Sequence, residues 1–266
     1  MGNYIIKPFA IAMGLQREMS RMTYLNYYGE KIDIPYLCFY VEGEGKRILV
    51  DTACSAADYA ALIKRSAKPL RAGGELFKDV VDKTPWEAML AELGITADQI
   101  DYVIQTHLHW DHCMNTVKVA PTTKVIVHEK EVMGGLPPHC IFGFSYAQKD
   151  HYERLEKLPG FTTVKGDVQL LPGLSIFETP GHTPGGISVK VQTKAGTHVI
   201  AGLCTVDRNY HVPPELREEL GYEVIPPGCH TDPMQAYQSM LRIKREADRI
   251  LPLHEPKLMH EKVIGA

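Results

Sequence analysis

The sequence predicts an α/β chain forming one domain over residues 1–266, and three observations predict it. Val/Ile-rich runs bounded by turn residues recur along the chain, and helix-period stretches fall between them. No repeat, low-complexity segment or Gly/Ser/Pro linker divides it.

Taken in order, strands are expected at Tyr36 to Val41, Arg47 to Asp51, Tyr102 to Thr106, Lys124 to His128, Leu174 to Glu178, Ile187 to Val191 and His198 to Leu203. Helices are expected at Ala57 to Ser66, at Leu76 to Leu93 with Pro85 as a break, and at Pro233 to Ala247. In the last, Met234, Tyr237, Met240, Leu241 and Lys244 recur at helical spacing, with Asp232 as cap and Pro233 at the first helical position. The segment Gly134 to Lys157 carries Pro and aromatic residues with little periodicity at its start. That suits a loop over a site followed by a short helix.

With 44% hydrophobic and 23% charged residues the composition is that of a globular domain, which excludes a fibrous or disordered chain. A formal charge of −3 offers no general attraction for phosphate backbones or acidic lipid, so neither nucleic acid nor a membrane surface is an expected partner. No apolar run approaches the roughly 20 residues needed to cross a bilayer, and the first residues lack a leader pattern. Six cysteines without paired spacing are expected as reduced thiols, and the protein as cytoplasmic.

The chemistry concentrates in Asp101 to Met114, where an apolar strand ends in His107, His109, Asp111 and His112. With 12 histidines in 266 residues, three within six positions are not a chance polar loop. Imidazole nitrogen and carboxylate oxygen suit borderline-soft divalent ions such as zinc, and a tight turn after a strand can converge them on two adjacent ions. One turn cannot complete two coordination shells, so further ligands are sought at later strand ends. His182 in the Pro/Gly-rich turn ETPGHTPGG, Asp207 after VIAGLCTV and His254 after ILPL appear in that order. Each alone is more often a capping or surface polar residue, but together, in this order, they are hard to dismiss.

The His-x-His-x-Asp-His loop followed by a distant His, Asp and His resembles the metallo-β-lactamase superfamily, with the match running from about ILVDTAC at 48–54 through His254. The resemblance implies a four-layer αββα sandwich with a two-metal site at one edge of the sheets. It implies that His107, His109 and His182 hold one ion, that Asp111, His112 and His254 hold the other, that Asp207 bridges them, and that Asp51 supports the loop from behind. Within the superfamily the chain looks most like the quorum-quenching lactonases, the acyl-homoserine lactone and pyridoxolactone hydrolase branch. The mark of that branch is TVDRNY at 205–210, with Tyr210 three residues after the aspartate. A phenol there either hydrogen-bonds the substrate carbonyl as it becomes an oxyanion or packs as a half-buried ring.

Two departures stand beside this likeness. After His112 the chain reads CMNT where a Gly-Gly pair is more usual, and Cys204 competes with Asp207, because the β-lactamases of the superfamily use a cysteine for the second metal. Counted along an extended strand, positions 204 and 207 point to opposite faces, which favours Asp207 as ligand and Cys204 as packing.

The expected activity is that of a hydrolase using two divalent ions, zinc by preference, to deliver hydroxide to an electrophilic carbonyl of a small molecule, with ring opening of a lactone the best fit and Asp207, Tyr210 and Asp111 as catalytic groups. A cyclic amide, ester or thioester serves the same attack, and a metal-binding sensor with little turnover is the rival from another class. Met13, Met19, Met22, Tyr24 and the Phe142, Phe144, Tyr146 cluster suit an apolar wall, core packing or a homo-oligomer contact equally.

Overall fold

A computed structural model of the protein describes residues 3–65, 79–132, 145–146 and 149–266. The first sheet uses β1 (Ile5–Glu18), β2 (Lys31–Gly43), β3 (Lys46–Val50), β4 (Val80–Asp82), β5 (Tyr102–Ile104), β6 (Lys124–His128) and β7 (Phe161–Val164). Its order is β4-β1-β2-β3-β5-β6-β7. The second sheet uses β8 (Val168–Leu171), β9 (Leu174–Glu178), β10 (Ile187–Thr193), β11 (Gly196–Ala201) and β12 (Arg249–Pro252), in the order β12-β11-β10-β9-β8. The helices are α1 (Ala56–Arg65), α2 (Trp86–Leu93), α3 (Trp110–Cys113), α4 (Glu129–Val132), α5 (Lys149–Glu156), α6 (Asp207–Tyr210), α7 (Pro214–Leu220) and α8 (Pro233–Glu246).

The period of two along each strand sorts side chains into layers. Ile48 and Val50 of β3, Ile104 of β5 and Ile126 of β6 meet Ile176, Val189 and Ile200 in a core between the two sheets. Their neighbours Leu49, Val103, Val125 and Val127 face outward onto Tyr59, Leu62, Met89 and Leu155 of the covering helices. On the second sheet Val199 and Ala201 turn outward onto Ala236, Met240 and Ile243 of α8. Helices, sheet, sheet and helix make the αββα sandwich, and each fully buried Ile or Val contributes about 1.5–3 kcal/mol.

Strands β6 and β9 have the expected bounds, and β2, β3, β5, β10 and β11 differ from expectation at their ends. Strand β1 was not expected, because it is buried on both faces over Ile6 and Pro8 to Gly14 and shows no alternation. Pro8 and Gly14 also mask it, and its register against β2 shifts between Ala10 and Ala12 and between Gly14 and Arg17. The β2–β3 hairpin closes through Glu44 and Gly45, both at positive φ (52° and 69°), the backbone that matches right-handed strand twist.

The expected helix from Leu76 to Leu93 is corrected. Residues 76–78 lie outside the described residues, Val80–Asp82 pairs with β1, and the helix begins only after Pro85. Helix α8 starts as expected, with Asp232 Oδ1 accepting from Gln235 N at 3.0 Å. Its buried face is Ala236, Ser239, Met240 and Ile243, whereas Met234 is 69% exposed, so the apolar stripe is rotated from the expected one. Most of the loop expected at Gly134 to Lys157, with Phe142 and Phe144, lies outside the described residues, and its end forms α5. Among the described residues no helix is long and apolar enough to cross a membrane.

Candidate metal centre

Strand β5 ends at Ile104, and the next residues leave the sheet at its C-terminal edge. Asp51, just past the neighbouring β3, holds that exit in place. Its Oδ1 accepts from Thr106 N and its Oδ2 from Thr106 Oγ1, both at 2.8 Å, and Oδ2 lies 2.8 Å from His112 Nδ1. Asp51 and Ala53 sit at φ 57° and 55°, a backbone that non-glycine residues adopt at a cost of order 1–3 kcal/mol. His112 O in turn accepts from Thr52 N at 2.8 Å and Ala53 N at 3.1 Å, which fixes the short α3 against β3.

His182 stands in the turn between β9 and β10. Thr179 N donates to Gly186 O at 2.8 Å and Gly181 N to Thr183 O at 3.0 Å, closing the turn tightly. Gly181 has φ 124°, and a Cβ there would lie 2.2 Å from Ala236 N, so only glycine lets α8 seat on this loop. His254 follows β12, its N–H donating to Thr205 O at 3.1 Å.

These loops bring six side chains into two adjoining groups. His107, His109 and His182 form one, Asp111, His112 and His254 the other, each with donor atoms within 4.8 Å of one another. Asp111 Oδ2 is 3.6 Å from His112 Nε2 and 3.8 Å from His254 Nε2. The outer nitrogens are tied down: His182 Nδ1–H donates to Cys229 O at 2.6 Å and His254 Nδ1–H to Pro35 O at 3.0 Å. Each tie fixes the tautomer and leaves Nε2 as an acceptor aimed inward.

Glu131, 2% exposed, links the two histidine loops. Its Oε2 accepts from Leu108 N at 3.0 Å and its Oε1 from Gly185 N at 2.9 Å. Burial pushes the Glu131 carboxyl above its usual range, against those bonds. Tyr146 packs its ring edge-to-face on His109 at 4.7 Å.

Burial, reinforced by neighbouring imidazoles, holds His107 and His109 well below the usual histidine pKa. Burial also lowers His182 to about 3 and His254 to about 4. His112 differs: burial opposes its charge, but the Asp111 and Asp51 carboxylates carry its pKa upward. Neutral imidazoles are the form that binds metal. His107 Nε2 and His182 Nε2 face each other at 3.2 Å, and His254 Nε2 is buried without a hydrogen-bond partner. A buried acceptor of that kind costs free energy unless something binds it, so this donor set fits divalent metal ions.

Asp207 is not brought to either group. Strand β11 ends at Ala201, and Leu203 N donates to Ala201 O at 2.7 Å and Thr205 N to Leu203 O at 2.8 Å. Two such successive tight turns abolish the extended parity on which the choice between 204 and 207 rested. Cys204 therefore lines the cleft over the histidines, whereas Asp207 opens α6, pairs with Lys257 at 2.9 Å and borders another cavity with Tyr210. The expectation that Asp207 bridges the two groups is corrected on this geometry. Tyr210 packs against Phe177, Val199 and Leu203 under α8 and does not line the cleft, which is the packing alternative left open by the sequence.

The cleft also takes in Arg17, Arg21, Met22, Tyr36 and Cys229, none of them singled out from the sequence as polar site residues. Tyr36 sets its ring edge-to-face on Trp110 at 5.3 Å and on His254 at 6.1 Å. Cys38, Cys54, Cys113, Cys204 and Cys229 are free thiols.

A four-layer αββα sandwich with paired histidine and aspartate groups at its edge defines a class of metallohydrolase, and comparison with known proteins gives the family. Residues 33–202 match the metallo-β-lactamase superfamily, and the chain belongs to it. It is similar to the N-acyl homoserine lactonase AiiA of Bacillus thuringiensis subsp. kurstaki, 26% identical over 229 residues that cover 85% of this chain and 81% of the relative. A probable metallo-hydrolase of Methanocaldococcus jannaschii is 27% identical over 175 residues, 66% of each chain. Among solved structures, an N-acyl homoserine lactone hydrolase with N-hexanoyl-L-homoserine at its catalytic metal center superposes with a TM-score of 0.68 at 23% identity, covering 97% of this chain and 95% of that one. The dizinc quorum-quenching lactonase AidC superposes at 0.61 with 15% identity, covering 96% and 91%.

Proposed function

We propose that this protein is a dinuclear metal-dependent hydrolase that opens the ring of a small lactone. The observation that carries the reading is the pair of adjoining groups at the floor of one cleft, five buried imidazoles and one carboxylate, with donor atoms in each group within 4.8 Å of one another. His107, His109 and His182 would hold one ion and Asp111, His112 and His254 the other, zinc suiting the donor set. Ions bound there supply Lewis-acid activation of water and of an ester carbonyl.

The chain's own residues do the rest. Asp51 and Glu131 hold the two loops so that the imidazoles converge without rearrangement. Asp111 is the one carboxylate lining the cleft among the described residues, which suits it to take a proton from attacking water and return it to the leaving alkoxide. Tyr36, Trp110 and Met22 wall the cleft with apolar surface that strengthens those charges. The similarity to N-acyl homoserine lactonases over 85% of the chain supports a lactone over other acyl substrates. The free thiols suit a reducing compartment, the cytoplasm.

The test is turnover of zinc-loaded protein on a panel of lactones, cyclic amides, esters and thioesters, repeated after chelation and after zinc is restored. Lactone hydrolysis that disappears and returns with the metal supports the proposal. Faster turnover of another acyl class moves the substrate assignment to that class, and binding of zinc with no hydrolysis of any substrate leaves a metal-binding sensor instead.

A further inference from the structure

Thr106 precedes the histidine loop and is fully buried, as are Asp51 and His107 beside it. Its hydroxyl carries one proton and has two acceptors within reach, Asp51 Oδ2 at 2.8 Å and His107 Nδ1 at 3.0 Å. On the other side of the His107 ring, Nε2 meets His182 Nε2 at 3.2 Å. His182 Nδ1–H donates to Cys229 O at 2.6 Å, so a neutral His182 presents a lone pair at Nε2. Where the Thr106 proton points therefore decides what His107 presents to His182.

Two arrangements satisfy this chain of groups. In the open one the Thr106 hydroxyl donates to Asp51, His107 Nδ1–H donates to Thr106 Oγ1, and His107 Nε2 is a lone pair beside that of His182. In the closed one the hydroxyl donates to His107 Nδ1, and His107 Nε2–H donates to His182 Nε2, which engages with each other the two nitrogens that an ion needs. Each arrangement holds two hydrogen bonds, so their strengths decide. A hydrogen bond to a carboxylate is roughly twice as strong as one between neutral groups, which favours the open form. Asp51 also fixes the position of Thr106, because its Oδ1 accepts from Thr106 N at 2.8 Å.

We propose, resting on the metal-centre reading, that Thr106 is a positioning residue whose hydroxyl holds His107 in its Nδ1–H tautomer and so keeps the group of His107, His109 and His182 open to an ion. Without the hydroxyl, Nδ1–H loses the acceptor it has here, whereas the bond from Nε2–H to His182 survives. The ring then takes the closed tautomer, and an ion must break that bond and return the proton to Nδ1 before both nitrogens can bind. The other group does not depend on Thr106 in this way. His112 Nδ1 meets Asp51 directly at 2.8 Å, and His254 Nδ1–H donates to Pro35 O at 3.0 Å.

The experiment is imidazole nitrogen NMR on metal-free, full-length protein at about pH 8, where histidine is neutral, followed by zinc titration against a competing chelator. Wild type is expected to show His107 protonated at Nδ1 and Thr106→Val at Nε2. Thr106→Ser restores the hydroxyl and should behave as wild type. Thr106→Val should also bind the ion of the His107 group roughly tenfold more weakly or worse, the scale seen when a partner of a ligating histidine is lost, with the ion of the Asp111 group within about threefold of wild type. The imidazole signals that shift as zinc is added tell the two ions apart. Nε2 protonation of His107 in wild type overturns the proposal, as does an unchanged tautomer or an unchanged affinity in a folded Thr106→Val. Melting curves show whether that variant folds; if it does not, the wild-type tautomer decides, with Nδ1–H supporting the proposal and Nε2–H overturning it. If wild type binds no zinc, the metal reading falls by itself, and the His107 tautomer in wild type and Thr106→Val still shows whether Thr106 sets the ring.

Discussion

Lys257 Nζ stands 2.9 Å from the Asp207 carboxylate, and this ion pair keeps the aspartate at the edge of a cavity separate from the histidine cleft. Asp207 N also donates to Glu255 Oε2 at 2.8 Å, so both ends of the residue are engaged near the chain segment that follows His254. Cys204, by contrast, lines the histidine cleft, its Sγ 3.9 Å from Met22 Sδ.

Asp207→Asn should therefore leave turnover within about twofold of wild type and cost stability about 0–1 kcal/mol, the range of a partly exposed ion pair. Cys204→Ala should lower turnover by roughly tenfold or more, the scale seen when a group beside metal ligands is removed. Steady-state rates with metal content measured on the same preparations decide between them. A larger loss in Asp207→Asn than in Cys204→Ala would return the aspartate to the site.

Tyr210→Phe should change turnover by less than about twofold, because the ring packs under α8 and the residue does not border the cleft. The removal of a true oxyanion donor costs about a hundredfold or more. Rates on the best lactone distinguish the two outcomes directly.

Glu131→Gln should weaken zinc binding. An amide offers one acceptor oxygen and one NH2 group, so it cannot accept from both Leu108 N and Gly185 N as the carboxylate does. The expected cost is about 1–3 kcal/mol in stability for the unpaired buried group, with faster zinc loss as the His107 and His182 loops drift apart. Competition titration with a chromogenic chelator reads the affinity, and an unchanged affinity would make Glu131 a packing residue.

Metal removal should lower the melting temperature and zinc should restore it, with a ratio near two ions per chain. Ions that bind only the folded protein stabilise it by about 4 kcal/mol at a thousand times their Kd. A second contribution is local, since His254 Nε2 is buried with no hydrogen-bond partner until something binds it. A melting temperature indifferent to chelation, or saturation at one ion, would remove the dinuclear assignment.

The histidine loop was legible in the sequence because its geometry is local. His107, His109, Asp111 and His112 leave one strand end within a single turn, so spacing alone brings them together, and the Pro/Gly pattern around His182 announces its turn in the same way. The sandwich was legible through β3, β5, β6, β9 and β11, whose apolar residues fill one face or the other. Strand β1 was not, because burial on both faces removes the alternation that reveals a strand and Pro8 and Gly14 argue against one. The choice between Cys204 and Asp207 depended on two tight turns after Ala201, where the parity rule of an extended chain no longer applies. Arg17, Arg21, Tyr36 and Glu131 reach the site from β1, from the turn after it, from β2 and from α4. No local pattern marks them, because what selects each residue is a partner far away in sequence. Spacing within a few residues is fixed by backbone geometry and can be read from the chain, whereas contacts between distant segments exist only once the two sheets have packed and set their loops side by side.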